Sequence, residues 1–144
     1  DSGAKYGYTG PGAGQGTTSV GLLCRMYLGW KQDNPALQRG VEFIGNKGVS
    51  KTGNMYYNYY ATQVCRHYEG EVWERWNNQM RDWLVGEQSK DGVKTGSWYW
   101  RAGDHGSERG GRLYCTAMAT MMLEVYYRHL PIYQKNAAEE DFAL

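Results

Sequence analysis

The sequence predicts an all-α protein assembled from helical hairpins, and three observations predict it. Apolar residues recur at spacings of three and four in five segments. No run alternates at the period of a strand. And there is an internal repeat: Cys24-Arg25-Met26-Tyr27-Leu28-Gly29 returns as Cys65-Arg66-His67-Tyr68-Glu69-Gly70, 41 residues further on.

The elements follow in order. Residues 1–16 are Gly-rich and aperiodic, and read as a linker. From Thr17 a first helix carries Val20, Leu23, Tyr27 and Trp30 on one face, with Thr17 or Thr18 as its cap. Asn34-Pro35 is an N-cap followed by proline at the first helical position; Leu37, Val41 and Ile44 form the stripe, and 45–48 ends the helix. The third helix runs over 55–68, with Tyr57, Tyr60, Ala61, Val64 and Tyr68 on one face, Tyr56, Tyr59 and Cys65 on a second flank, and Gly70 as its breaker. The fourth, 71–87, turns Val72, Trp73, Trp76, Met80, Trp83 and Leu84 inward and Arg75, Asn78, Arg81 and Asp82 to water. Residues 89–111 read as a long polar loop. A fifth helix, 112–130, is apolar nearly all round until Glu124 and stops at Pro131. The repeat domain is 17–133, with units 17–48, 54–98 and 111–130; the acidic 134–144 is a tail. In each unit the first helix is apolar all round and the second amphipathic, as an inner and an outer layer require.

Composition excludes several classes. The 144 residues carry a net charge of +1, too little for the basic stripe of a nucleic-acid binder. The longest uncharged run, 113–123, falls short of the roughly 18 residues of a membrane span. No signal peptide is visible. Three cysteines without a CxxC pair read as free thiols, which leans to a cytoplasmic compartment without establishing one. The absence of an initial Met suggests a piece of a longer chain. The excess is aromatic: 13 Tyr and 6 Trp against 2 Phe, with 20 Gly.

Arg39-Gly40-Val41-Glu42-Phe43-Ile44 resembles the head of the QW motif of squalene/hopene cyclases: basic, Gly, two residues, aromatic, aliphatic. Trp83-Leu84, then Gln88, Gly92, Gly96 and Trp98, resembles its remainder. The resemblance implies the α/α toroid of terpene cyclases and of protein prenyltransferase β subunits, an architecture also found in cell-surface thioester domains. It further implies that Gln88 satisfies backbone groups at the start of a neighbouring helix while Trp98 stacks on it. A full toroid has more helix pairs than the two and a half in this chain, which leaves inner helices unpaired at both ends. The Asp-x-Asp-Asp acid motif of squalene cyclases is absent. So is the Asp-x-Cys zinc pair of prenyltransferases: Leu22, Gln63 and Leu113 stand two before Cys24, Cys65 and Cys115.

Five groups of residues are weighed for a functional reading. Tyr56, Tyr57, Tyr59, Tyr60, Tyr126 and Tyr127 lie on inner helices, where phenol rings either stabilise cations and bind apolar, glycan or peptide ligands, or pack with their hydroxyls bonded between layers. Asp104, His105 and Glu108 form the densest titratable cluster, suited to general-base work or simply solvated in a loop. Glu124 interrupts an apolar helix; if buried it pairs with Arg25 or Arg66, or acts as an acid or base. Cys65 and His67, two apart on a helix, point in different directions and do not make a zinc pair. The stretch from Gly12 to Thr17 lacks the Lys of a phosphate loop. No cofactor and no metal are expected.

The expectation is thus a non-catalytic α/α-toroid repeat module that binds a ligand or protein, completed by the rest of a larger chain or by a second copy. The alternative is a fragment of an isoprenoid enzyme, squalene/hopene cyclase- or prenyltransferase-like, whose acid or metal motif lies outside this segment.

Overall fold

The ends of the helices follow from local chemistry. In the computed structural model, which describes residues 3–125, Asn34 Oδ1 accepts the N–H groups of Ala36 and Leu37 at 2.9 and 3.2 Å, and Pro35 occupies a position that needs no donor. Helix α2 (Pro35–Lys47) therefore starts where the sequence places it, and Gly48 ends it at φ 70°. Helix α3 (Met55–Tyr68) is capped by Asn54, whose Oδ1 accepts Tyr57 N–H at 2.9 Å. Helix α1 (Gln15–Tyr27) has no side-chain cap. Helix α4 (Gly70–Glu87) follows α3 with one residue between them. Helix α5 (His105–Leu123) starts seven residues before its expected beginning. Gly111, at φ 57°, kinks it where the sequence suggested its start. No strand occurs among the described residues.

Three helices form a row and two lie against it, but only α3 is buried on several sides: α1 and α5, expected to be apolar all round, bury one face each, and Leu113 of α5 is exposed. Helices α1, α3 and α5 pack side by side with α3 in the middle; α2 lies on α1 and α3, and α4 lies on α3 and α2. The rings of Tyr27 and His67 meet at the C-terminal ends of α1 and α3, 5.4 Å apart, and Tyr56 lies against Gly16 at the N-terminal ends, so these two helices run in the same direction. The outer helices bury one stripe each: Leu37, Val41 and Ile44 on α2; Trp76, Met80 and Leu84 on α4. Helix α3, flanked on several sides, buries Met55, Tyr57, Asn58, Ala61, Thr62, Val64 and Cys65.

Two further expectations about helix faces need correction. On α1 the buried face is Thr18, Ser19, Leu22 and Leu23, while Tyr27 is exposed. The small hydroxyl residues are tolerated inside because Ser19 donates to Gln15 O at 2.9 Å and Thr18 Oγ1 accepts Tyr6 N–H at 3.0 Å. On α5, Glu124 is exposed at the C-cap, and neither expected partner faces it. Arg25 donates to the Tyr6 hydroxyl at 3.1 Å, and Arg66 pairs with Glu69.

The Gly-rich segment read as a linker packs on the helices. Ala4 is fully buried, Tyr6 covers α1 at Gly21, and Gly14 N–H donates to Tyr6 O at 3.0 Å. The strap thus lies on α1 through Tyr6 and reaches α2 at Gly40 through the Ala4 carbonyl.

The α3–α4 corner carries strain. Glu69 sits at φ 64° and ψ −165°, a region that favours glycine, and Gly70 follows at φ 65°. The Arg66–Glu69 pair that accompanies it, at 3.3 Å, is largely solvated on the Glu side and contributes little. Glu69→Gly is expected to stabilise the protein by about 1 kcal/mol, read as a higher urea midpoint. Glu69→Gln, which keeps the strain, should give no gain.

Candidate functional site

Two glycines bring the start of α5 onto the start of α3. A Cβ on Gly103 would fall 2.0 Å from Gly53 O, so the backbones meet only because Gly103 lacks a side chain, while a Cβ on Gly53 would strike the Trp100 side chain that packs there. Asp104 is thereby placed at the N-cap of α5 and beside the first turn of α3. Its Oδ1 accepts Ser107 N–H at 2.7 Å; its Oδ2 accepts Tyr56 N–H at 2.8 Å and the Tyr114 hydroxyl at 3.2 Å. One carboxylate thus satisfies backbone donors of two helices and orients a phenol. The Tyr114 ring lies against Gly106 and Gly110 in the first turns of α5. Burial, and then the Asp104 carboxylate, push the Tyr114 hydroxyl well above the usual tyrosine range.

Above this junction opens a cleft of about 530 Å³. Tyr8, Tyr56 and Tyr114 supply its aromatic walls; Thr17, Asn54 and Asp104 supply polar groups; His105 and Gly106 complete the lining. Tyr8 comes from the N-terminal strap, and its side chain is 90% exposed. Tyr8, Asn54 and Tyr114 were not singled out from the sequence. They come from three distant segments and share no period, so only the fold assembles them.

The sequence-derived candidates divide sharply. Tyr56 lines the cleft and stands 4.8 Å from the Tyr60 ring, which in turn meets Tyr59 at 5.2 Å. Burial and the neighbouring phenols raise the Tyr60 hydroxyl above its usual range. Tyr57 does not line the cleft: it is fully buried, edge-on to Trp76 at 5.9 Å, and donates to Gly48 O at 3.0 Å. Tyr126 and Tyr127 lie outside the described residues. His105, 97% exposed, stands 3.8 Å from Glu108, itself exposed, and among the described residues no carboxylate comes within hydrogen-bond distance of the ring. Among the described residues no group of three His, Cys, Asp or Glu is placed to hold a metal.

The QW-like residues form a local staple of their own. Arg39 is exposed and Gly40 is buried under Ala4 O and Leu22; Phe43 lies 5.0 Å beneath Lys5 Nζ. Leu84 O accepts the Trp98 indole N–H at 2.6 Å. Trp83 stacks on Trp100 at 4.7 Å. Gln88 donates to Gly96 O within its own loop at 3.1 Å and does not reach a neighbouring helix. Gly92 and Gly96 adopt positive φ in that loop, around a 3-10 turn at Gly92–Lys94. Trp98 N–H donates to Thr116 Oγ1 at 3.1 Å, which fastens the loop to α5.

At the opposite end of the inner row, burial and the adjacent Arg66 lower the His67 imidazole below its ordinary 6.5. Above pH 6.5 the ring is neutral in both the folded and the unfolded chain. Below it the unfolded chain takes up the proton first, so stability falls as the pH drops. Urea midpoints should therefore decrease from pH 7.5 to 5.5, and His67→Gln should flatten that slope.

No family model, curated protein or solved structure matches the chain. Among the described residues no helix is long and apolar enough to cross a membrane.

Proposed function

We propose that this chain is a non-catalytic helical repeat module of the α/α-toroid type that binds a ligand in the aromatic cleft at the mouth of its inner helices. The observation that carries the reading is the employment of Asp104. The carboxylate that lines the cleft accepts three hydrogen bonds from Ser107, Tyr56 and Tyr114, and so holds the walls in place. A general base needs a free lone pair directed at a substrate, and a general acid a proton so directed. The side-by-side inner helices and the outer helices laid over them are consistent with the toroid that the resemblance to squalene/hopene cyclases and prenyltransferase β subunits implies. In that reading the chain is one arc of a larger ring, completed by further pairs or by a second copy.

Thermal-shift and intrinsic-fluorescence titrations against glycans, peptides and prenyl alcohols test this, alongside incubation with squalene and prenyl diphosphates. A ligand that raises the melting temperature and is lost in Tyr56→Ala, with no turnover, is the expected result. Product formed from squalene or a prenyl diphosphate would overturn the reading in favour of an isoprenoid enzyme.

A further inference from the structure

The cleft has one wall that does not belong to the helical row. Residues 7–13 leave the helices as a small loop whose ends are pinned together by the Gly14 N–H to Tyr6 O bond. The loop is folded on itself: a Cβ on Gly7 would fall 1.9 Å from Gly10 O, a close approach only glycine permits. Tyr6 is fastened to α1, since Thr17 Oγ1 donates to its carbonyl at 2.8 Å. The loop therefore holds Tyr8 over the mouth of the cleft, although the Tyr8 side chain is 90% exposed and its hydroxyl has no hydrogen-bond partner among the described residues. A large aromatic ring so exposed contributes almost no burial to the fold. It nonetheless lines the cleft together with Tyr56 and Tyr114.

We infer that the cleft takes a neutral saccharide, with Tyr8 as the stacking wall that closes over the sugar ring; this rests on the binding-module reading above. Charge argues for a neutral ligand. No Lys or Arg lines the cleft, so nothing is in place to clamp a phosphate or sulfate. The Asp104 carboxylate is already engaged by three donors, which leaves little of it for a bound cation. Shape and polarity argue for a sugar. A pyranose presents flat C–H faces and hydroxyl edges; the cleft presents phenol faces and the Asn54 amide N–H₂ with no partner among the described residues. A purely apolar chain would cover that amide without pairing it. An extended peptide is best held along a strand edge, and the described residues contain no strand.

The test is calorimetric titration of the whole chain with neutral oligosaccharides of glucose, galactose and N-acetylglucosamine, and with choline, inorganic phosphate, a peptide library and a prenyl alcohol. Saccharide binding is expected, weakened about three- to tenfold in Tyr8→Ala and retained in Tyr8→Phe. Thermal unfolding of both variants should match the wild type, because Tyr8 is outside the core. Saccharide binding indifferent to Tyr8→Ala overturns the assignment of the stacking wall. Binding of choline, phosphate, peptide or prenyl alcohol in place of sugar, lost in Tyr56→Ala, overturns the saccharide and leaves the binding module standing. Absence of binding by every class overturns both.

Discussion

Tyr57→Ala is expected to cost about 3–5 kcal/mol, the range for removing a large buried aromatic side chain. Against a total of roughly 5–15 kcal/mol for a domain this is enough to lower the melting temperature by about 10–20 °C. The side chain is fully buried, where it meets Trp76 edge-on and reaches the end of α2 through its hydroxyl. Removing it opens a cavity where α2, α3 and α4 converge. Tyr57→Phe keeps the ring and loses only the bond to Gly48 O, so about 1 kcal/mol is expected. A second readout separates packing from ligand contact. Burial raises the Tyr57 hydroxyl above the ordinary 10.0. Its stabilisation is full below pH 10 and is lost as the pH climbs, because the unfolded chain then gives up the proton first. Tyr57→Phe should be less sensitive to alkali than the wild type. A Tyr57→Ala protein that keeps its wild-type urea midpoint would place Tyr57 outside the core.

Tyr57 also illustrates what the sequence can and cannot reveal. Residues 56, 57, 59 and 60 are all tyrosine, so aromatic rings go nearly round the helix and residue type does not distinguish its sides. The distinction comes from neighbours: Trp76 on one side; Asp104 and Tyr114 on another. Where one face alone is apolar, as on α2 and α4, periodicity suffices, and Asn34-Pro35 marks its helix start without help from tertiary structure. Hydrophobic periodicity misses the buried face of α1 because Thr18 and Ser19 are polar by type and satisfied by local bonds. It misses the beginning of α5 because the four glycines between 103 and 111 have low helix propensity, and tertiary contacts override it. Asp104 caps that turn and Tyr114 packs on Gly106 and Gly110. Glu124 reads as an interior charge from its apolar neighbours Leu123 and Val125; in the structure its side chain is exposed, and an exposed carboxylate needs no partner.

Asp104→Ala is the second large effect, and it tests the division of labour at the cleft. The substitution removes an N-cap, usually about 0.5–2 kcal/mol, together with charge-assisted bonds to a second helix and to a phenol, which contribute about 1.5–3 kcal/mol in comparable settings. These contributions overlap, because all three donors converge on one carboxylate, so a loss of about 2–4 kcal/mol is expected. Asp104→Asn should lie between. Its amide oxygen still accepts one backbone N–H, but its N–H₂ group then faces a donor it cannot pair with. The spectroscopic consequence is independent of stability. With the carboxylate gone, the Tyr114 hydroxyl keeps its burial but loses the neighbouring negative charge, so its titration, followed by ultraviolet absorbance, should move down toward the ordinary tyrosine range. If the cleft is a binding site held in shape by Asp104, ligand affinity falls in both variants in step with the freedom gained by Tyr56 and Tyr114, and a variant that restores a cap should recover part of it. Asp104→Ser, which can still accept the Ser107 N–H, is that variant. An unchanged melting temperature in Asp104→Ala, with loss of a chemical activity, would show instead that the carboxylate acts on a substrate.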